Sequence, residues 1–415
     1  FASACHSPIT VSPPADCRSM PDTANEALVS PCRLAIVLSH PVQYYAPWFR
    51  RLTRERLLTT RVFYLSEHGA TPRRDPQFGQ AFAWDTDLLS SYDHTFVPNL
   101  AKNPGVDRFY GLHNPALLPA LAAFSPEAIL LYGYAYRPHL HLILRRPAPL
   151  IFRGDSHLLG APLPAGFKRV LLRFIYSRFA AFLPVGKANA AYFRHYGVPT
   201  GKLFAAPHCV DADHFKATPG HIEEAVRLRR SLGISTEATV LLFAGKLIPK
   251  KRPDLLLAAF RRSAPTKTHL VISGDGELLP ALRAMAGAQA NIHFLPFANQ
   301  SAMPTRYLLG DIFVLPSEGR HETWGLAVNE AMHLGRPVIL SDQVGCQQDL
   351  LAPGKTGWLF PAGNETALTA VLHEALRQPR EALATMGQAA AERIAAFNYD
   401  ATTAGLIAAL RSIRS

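Results

Sequence analysis

From residue 33 onward, short unbroken apolar runs alternate with stretches in which apolar residues recur every three or four positions. The first habit belongs to strands covered on both faces, and the second to helices lying against them. The runs at 33–39, 60–65, 94–98, 128–132, 150–153, 181–185 and 203–206 predict strands. Helices are predicted from about 44 to 54 and at 115–124, 138–146, 167–179 and 188–196. The rhythm breaks at PHCVDADHF (207–215) and resumes with a charged helix at 223–232. Strands then follow at 240–244, 269–273, 292–297, 311–316, 338–341 and 358–360. The helices between and after them fall at 253–262, up to about 286, and at 302–309, 324–333, 365–377, 381–396 and 401–413. Regular alternation of strand and helix on both sides of one break predicts an α/β chain of two doubly wound, mostly parallel sheets. The predicted division is a tail at 1–32, a first domain at 33–207 and a second at 208–396, with a terminal helical segment at 397–415. Between 66 and 112 the periodicity weakens into Pro, Gly, Asp and Arg clusters, and a long irregular stretch of that kind usually shapes a functional surface.

Two domains also suit the length of 415 residues, and 48% hydrophobic residues are ample for two cores. The net charge of +12 favours phosphate-bearing ligands or anionic surfaces, although the Lys and Arg residues are scattered rather than run together. Cys5, Cys17, Cys32, Cys209 and Cys346 have no C-x-x-C spacing, and the 17 histidines form no H-E-x-x-H. Neither a disulfide framework nor a zinc site is suggested, and a reducing, cytoplasmic setting fits best. No apolar run is long enough to span a bilayer. Residues 1–31 are rich in Ser, Pro, Ala and Thr and read as a disordered tail, within which Met20 is the expected natural start.

Two loops at strand ends carry the candidate chemistry. GKLIPKKR places Lys246, Lys250, Lys251 and Arg252 between a strand and a helix start, where side-chain cations add to free backbone N–H groups as an anion site. The stretch DIFVLPSEGRHETWGLAVNE ends a strand, forms a polar loop and enters a helix, with Glu322 and Glu330 bracketing the helix start. Gly325 allows close approach to the backbone. A carboxylate such as Glu330 suits the paired hydroxyls of a ribose. A solvated turn and two ordinary helix glutamates are the plain readings of each loop alone; together, in order on one sheet, they suit a diphosphate and a sugar.

With those loops in place the chain resembles the retaining glycosyltransferases of family 4, bacterial-type, which have the GT-B architecture of two facing Rossmann-like domains with a cleft between them. The family's paired-glutamate motif appears as ETWGLAVNE, its basic loop as GKLIPKK, its Gly-Asp-Gly turn as Gly274 to Gly276, and its Pro-Ser strand end as Pro316-Ser317. The chain departs from the pattern in three places: Lys246 stands where Arg is usual, His208-Cys209 precedes Val210-Asp211 where Asn-Gly is usual, and Asp349 replaces a commoner Glu. The resemblance implies that Glu330 binds the ribose and Glu322 meets the sugar near the reacting carbon. Lys246 and Lys251 would hold the diphosphate and stabilise the leaving group, with backbone N–H groups at Trp324, Gly325 and Leu326 assisting, and neither metal nor cofactor is then needed. It also implies that residues 397–415 cross back to the first domain. On the acceptor side, His40, Gln43, Asp155 and His157 are the cleft candidates, His157 with a catalytic role as well, whereas His208 and His321 read as structural.

The expected activity is therefore transfer of a hexose-type sugar from a UDP- or GDP-linked donor to a hydroxyl of a glycan, a lipid-linked acceptor or a small molecule, as in polysaccharide biosynthesis. A sugar-nucleotide epimerase or a phosphorylase of the same fold is the alternative enzyme. A non-catalytic nucleotide-sugar or nucleic-acid binding protein is the alternative of another class, and no aromatic signature for nucleic acid is visible. In FKRVLLRFIYSRF (167–179) the plain reading puts the apolar side in the core. The sharper one has Lys168, Arg169, Arg173 and Arg178 touch the inner face of an anionic membrane.

Overall fold

The computed structural model describes residues 31–70, 73–74, 81–160, 166–263, 267–319 and 321–414. The expected tail, with Met20, lies outside them apart from its last residues. The first domain runs β1 (Cys32–Leu38), α1 (Ala46–Leu52), β2 (Leu58–Tyr64), a short hairpin β3 (Arg73–Arg74) and β4 (Ala81–Phe82), then β5 (His94–Phe96). It continues α2 (Leu117–Phe124), β6 (Ala128–Tyr132), α3 (Arg137–Arg145), β7 (Leu150–Arg153), α4 (Phe167–Ser177), β8 (Ala181–Phe182) and α5 (Lys187–His195). The second runs α6 (Pro219–Ser231), β9 (Thr239–Ala244), α7 (Pro253–Ser263), β10 (Thr268–Ser273), α8 (Leu279–Ala286), β11 (Ile292–Leu295) and α9 (Met303–Leu309). Then come β12 (Ile312–Leu315), α10 (Leu326–His333), β13 (Val338–Ser341), α11 (Gln347–Leu350), β14 (Gly357–Phe360) and α12 (Glu365–Leu376), α13 (Arg380–Ile394) and α14 (Tyr399–Arg414).

Both large sheets are parallel throughout, in the orders β5-β2-β1-β6-β7-β8 and β11-β10-β9-β12-β13-β14. Each is built outward from its first strand and then reverses, which is the doubly wound arrangement expected from the alternation. Central strands such as β12 and β13 are buried at every position, because helices cover both faces. Helix starts are set locally. Thr218 accepts the His221 N–H at the head of α6, and Asn364 accepts the Ala367 N–H at the head of α12, each cap worth about 1 kcal/mol.

α14 returns to the first domain. Leu406, Ala409 and Leu410 pack with Ile36, Trp48 and Leu130, and Trp48 Nε1 donates to Thr403 Oγ1 at 3.0 Å. A Cβ on Gly405 would lie 2.0 Å from the carbonyl oxygen of Ala205, so only glycine lets the helix seat there. Thr402 Oγ1 donates to the Pro207 carbonyl at 2.7 Å, tying α14 to the segment that joins the domains.

Two local expectations fail. The run 203–206 makes no strand; only Leu203 bridges, to Phe182. Phe204 and Ala206 donate to the carbonyls of Phe182 and Pro184, but Pro184 has no N–H to return, so the ladder stays one-sided. In α4 the apolar side is split. Leu172, Ile175 and Tyr176 face the core, whereas Phe167, Val170, Leu171 and Phe174 are 81%, 65%, 41% and 51% exposed beside Lys168, Arg169 and Arg173.

Candidate functional site

In each sheet the order reverses between the first and fourth strands of its Rossmann-like unit, and a crevice opens beyond their carboxyl ends. In the second domain these strands are β9 and β12, from which the two charged loops emerge. Gly245 leaves β9 with φ +152° and Gly274 leaves β10 with φ +147°. A Cβ on Gly274 would stand 1.9 Å from the Gly245 carbonyl oxygen, so the two backbones close the floor of the crevice as only glycines can. The basic loop then makes one 3-10 turn at Pro249–Lys251 and is latched to its neighbour, since Glu318 N donates to the Lys250 carbonyl at 2.9 Å and Lys250 Nζ to the His321 carbonyl at 3.1 Å.

The latch brings Lys251 onto Glu322 as an ion pair, with Glu322 only 6% exposed. Ser317 Oγ donates to the same Oε2 at 2.8 Å. Burial pushes the Glu322 carboxyl up, but Lys251, Ser317 and Lys250 outweigh it and hold the group below the usual range. Glu322 is thus an anion kept beside cations.

Glu330, one of the buried residues of α10, is set differently. Tyr307 donates to its Oε2 at 2.5 Å and Tyr44 to its Oε1 at 2.9 Å. Burial pushes this carboxyl up to about 7, against the two phenols and the more distant Lys251. The two glutamates of one motif are therefore tuned apart, one kept ionised by cations and one raised to near neutrality by burial that two neutral donors only partly offset.

Glu330 borders a cavity of about 380 Å³, whereas Glu322 is linked to it through Lys251, which lines the wall. Lys246, Lys250 and Lys251 stand on one wall, Glu330 and Tyr307 on another, and Gln43 and Tyr44 of the first domain on a third. Phe297, Ala298 and Met303 supply an apolar end. Cations, a ribose-type acceptor and an apolar slot in one crevice suit a phosphorylated ligand with a flat ring.

The other predicted residues are placed as follows. Leu326 lines the cavity. The Trp324 side chain points away into the core, its Nε1 donating to Asn329 Oδ1 at 2.8 Å while Asn329 donates to the His208 carbonyl at 3.1 Å. Gly325, with φ +94°, is the cap residue of α10, which delays the helix to Leu326. His157 lies in the domain interface. Leu159 N–H donates to its Nδ1 at 3.1 Å, so Nε2 carries the proton and donates to the Glu322 carbonyl at 3.0 Å. In this arrangement His157 holds the Glu322 backbone across the cleft and has no free nitrogen to act as a base. Asp155 accepts from Thr323 Oγ1 at 2.7 Å. Its place in the cleft pushes its carboxyl up, but His208 and Thr323 outweigh this and hold it at about 2. His40 turns to Ser39 Oγ (2.8 Å) and the ring of His68 (5.1 Å), and burial lowers it to about 4, so it is neutral. Asp349 accepts the Lys187 N–H at 2.9 Å, another contact between domains. Tyr44 and Tyr307 were missed in the sequence. The cleft candidate Gln43 marks the same loop as Tyr44, but nothing local signals a partner 286 positions away.

Residues 226–393 match the family model of glycosyl transferases group 1. D-inositol 3-phosphate glycosyltransferases are similar over part of their length. That of Geodermatophilus obscurus is 32% identical over 233 residues, 52% of this chain and 48% of that protein, and that of Streptomyces avermitilis 30% over 244 residues, 54% and 51%. The match thus spans about half the length of these relatives. In structure, Anabaena Alr3699/HepE in complex with UDP aligns with TM-score 0.66 at 17% identity, over 90% of this chain and 98% of that one. WaaG, a glycosyltransferase involved in lipopolysaccharide biosynthesis, aligns with TM-score 0.61 at 17% identity, over 91% and 98%. The second domain is thus similar to the group 1 glycosyl transferases over residues 226–393, and the chain has the expected GT-B fold of two parallel six-stranded sheets.

Proposed function

We propose that this chain, with a group 1 glycosyl transferase match in its second domain, moves a hexose-type sugar from a UDP- or GDP-linked donor to an acceptor hydroxyl with retention of configuration. The observation that carries the reading is the meeting of the Lys246–Lys250–Lys251 cluster and the buried Glu330 in one cavity at the β9/β12 switch. The lysines receive the diphosphate and stabilise charge on the leaving phosphate, an electrostatic contribution made by groups already in place. Glu330 accepts the ribose hydroxyls, the base lies toward Phe297 and Ala298, and Glu322 meets the sugar. In this reading side-chain cations do the work that a metal ion does elsewhere. The acceptor enters from the first domain's side, past Gln43 and the loops after β1 and β7. A UDP complex of a structural relative supports the donor class.

A panel of UDP- and GDP-sugars tests this. A donor present at about a hundred times its Kd is expected to stabilise the protein by about 2.7 kcal/mol. Incubation with acceptors is then expected to release nucleoside diphosphate and form a glycoside of unchanged anomeric configuration. Binding without turnover of any donor with any acceptor class would make the chain a binding protein instead.

A lipid-linked acceptor is the member of the acceptor class that the first domain's surface favours, with the chain resting peripherally on an anionic membrane. Phe167, Val170, Leu171 and Phe174 stand at i, i+3, i+4 and i+7 on the exposed side of α4, and Leu144 of α3 is 57% exposed nearby, where Arg178 donates to its carbonyl at 3.3 Å. Lys168, Arg169 and Arg173 flank the stripe, and the helix FKRVLLRFIYS carries no acid. Pairing two such faces would set cation against cation, whereas acidic lipid matches both the charge and the apolar stripe, at about 1 kcal/mol per cation near the surface. The protein is expected to float with phosphatidylglycerol-containing vesicles and not with pure phosphatidylcholine, and Phe167→Ser/Phe174→Ser to lose most of that binding. Equal behaviour with both lipids, or a dimer in solution abolished by the same double variant, would reject membrane docking.

A further inference from the structure

Tyr44 belongs to the first domain by position, in the loop between β1 and α1, yet it packs against the main core cluster of the second domain. Its phenol donates to Glu330 Oε1 at 2.9 Å, and its backbone carbonyl accepts from Tyr399 OH, at the start of α14, at 3.1 Å. It is therefore gripped from two directions, by the donor-side carboxylate and by the helix that crosses between domains. A carboxylate has about four lone-pair directions. Tyr44 takes one on Oε1 and Tyr307 one on Oε2, which leaves each oxygen a second direction, and Glu330 borders the cavity. Two oxygens with one free lone pair each match the spacing of two adjacent hydroxyls.

We infer that Tyr44 is a positioning residue that fixes the plane of the Glu330 carboxylate for a vicinal diol, so that the donor site is complete only while the first domain is closed against the second. The inference rests on the proposed donor site. It makes the first domain a contributor to donor affinity and not only the acceptor's platform. Opening the cleft withdraws the Tyr44 phenol, loosens the carboxylate and lets the spent nucleotide leave. Closure and donor retention are thereby coupled through one hydrogen bond.

The pH profile separates positioning from packing. The groups facing Glu330 are the phenols of Tyr44 and Tyr307, with Lys251 farther off. Burial, then the neighbouring carboxylate, holds both phenols well above their ordinary range, so they remain donors at any working pH. Diol binding strengthens as Glu330 ionises, so affinity for UDP or GDP is expected to rise with pH through a midpoint near 7 in the wild-type protein. Tyr44→Phe removes one donor to the ionised form, which raises the midpoint by roughly one pH unit, so that the loss of affinity is about fivefold greater at pH 7 than at pH 9. Ionisation of the nucleotide's terminal phosphate is common to both proteins and cancels in the comparison. Tyr307→Phe is expected to move the midpoint in the same direction. The experiment is calorimetric titration of the full chain with UDP and with GDP from pH 5.5 to 9. Superimposable profiles, or a loss of the same factor at every pH, would reduce Tyr44 to a packing residue and leave the donor reading standing. If neither nucleotide binds the wild-type protein at any pH, the donor reading falls and takes the role of Tyr44 with it.

Discussion

Lys251→Ala is expected to lower the rate of sugar transfer by roughly two to three orders of magnitude, the loss seen when a preorganised charge or donor is taken from a developing anion. The side chain is placed for two tasks at once. It neutralises Glu322, which is 6% exposed, and it lines the cavity that would hold the diphosphate. Removing it also strands a buried carboxylate, at a cost of about 3–5 kcal/mol in stability. Part of that cost depends on pH in a definite sense. In the wild-type protein the Glu322 carboxyl is held below its ordinary value, so its contribution is full at neutral pH and is lost as the pH falls through the folded value. In Lys251→Ala burial acts unopposed by that cation, the contribution disappears, and the acid limb of the stability curve flattens. Denaturant unfolding at pH 3 and pH 7.5, with turnover at saturating donor, checks both parts. Lys251→Arg keeps the charge and is expected to recover much of the stability but less of the rate, because the fork does not fit where an ammonium sits. A rate within fivefold of wild type in Lys251→Ala would pass the leaving-group role to Lys246 and Lys250.

Glu330→Gln is expected to push stability and donor affinity in opposite directions. The carboxyl is raised from its ordinary value to about 7 by burial, only partly offset by the Tyr307 and Tyr44 phenols. For an acid shifted this way the folded state holds the proton more tightly than the unfolded chain, so folding stability falls as the pH rises from about 4.5 to about 7 and stays lower above. Glutamine carries no charge at any pH. The variant is therefore expected to match wild type at pH 5 and to exceed it at pH 8 by about 1–3 kcal/mol. Its affinity for the nucleotide is expected to fall by roughly ten- to a hundredfold, the value of hydrogen bonds to a charged group. Urea unfolding at the two pH values and nucleotide titration measure the trade. Lower stability at pH 8 would mean that the two phenols more than compensate the buried charge.

The parts of this molecule legible in the sequence are those where meaning is local. β6, β7 and β13 end where predicted because the apolar run stops at Gly133, at Arg153-Gly154 and at Ser341-Asp342 respectively. The basic loop and the paired glutamates were legible because a strand end followed by a helix start is a site in itself. The Tyr44–Glu330 contact was not, since its two ends acquire their meaning only once the domains face each other. His157 was readable as a cleft residue, but its tautomer is set by the Leu159 N–H, which depends on how the loop turns. Periodicity identified α4 as amphipathic yet could not say that a second apolar stripe, Phe167 to Phe174, would be left outside. The failed strand at 203–206 turned on Pro184, a missing donor on its neighbour rather than anything in the run itself.

The return of α14 to the first domain has a consequence for biosynthesis. Thr402 bonds to Pro207, 195 positions earlier, and Trp48 to Thr403, 355 positions apart. At about 5–20 residues per second a ribosome needs roughly 10–40 s to travel from the first of these segments to the second. Through that interval the first sheet is already made, while the face bearing Ile36, Trp48 and Leu130 lacks its cover. The domain synthesised first is thus completed last, and its half-built core is the surface that a nascent-chain chaperone would have to guard.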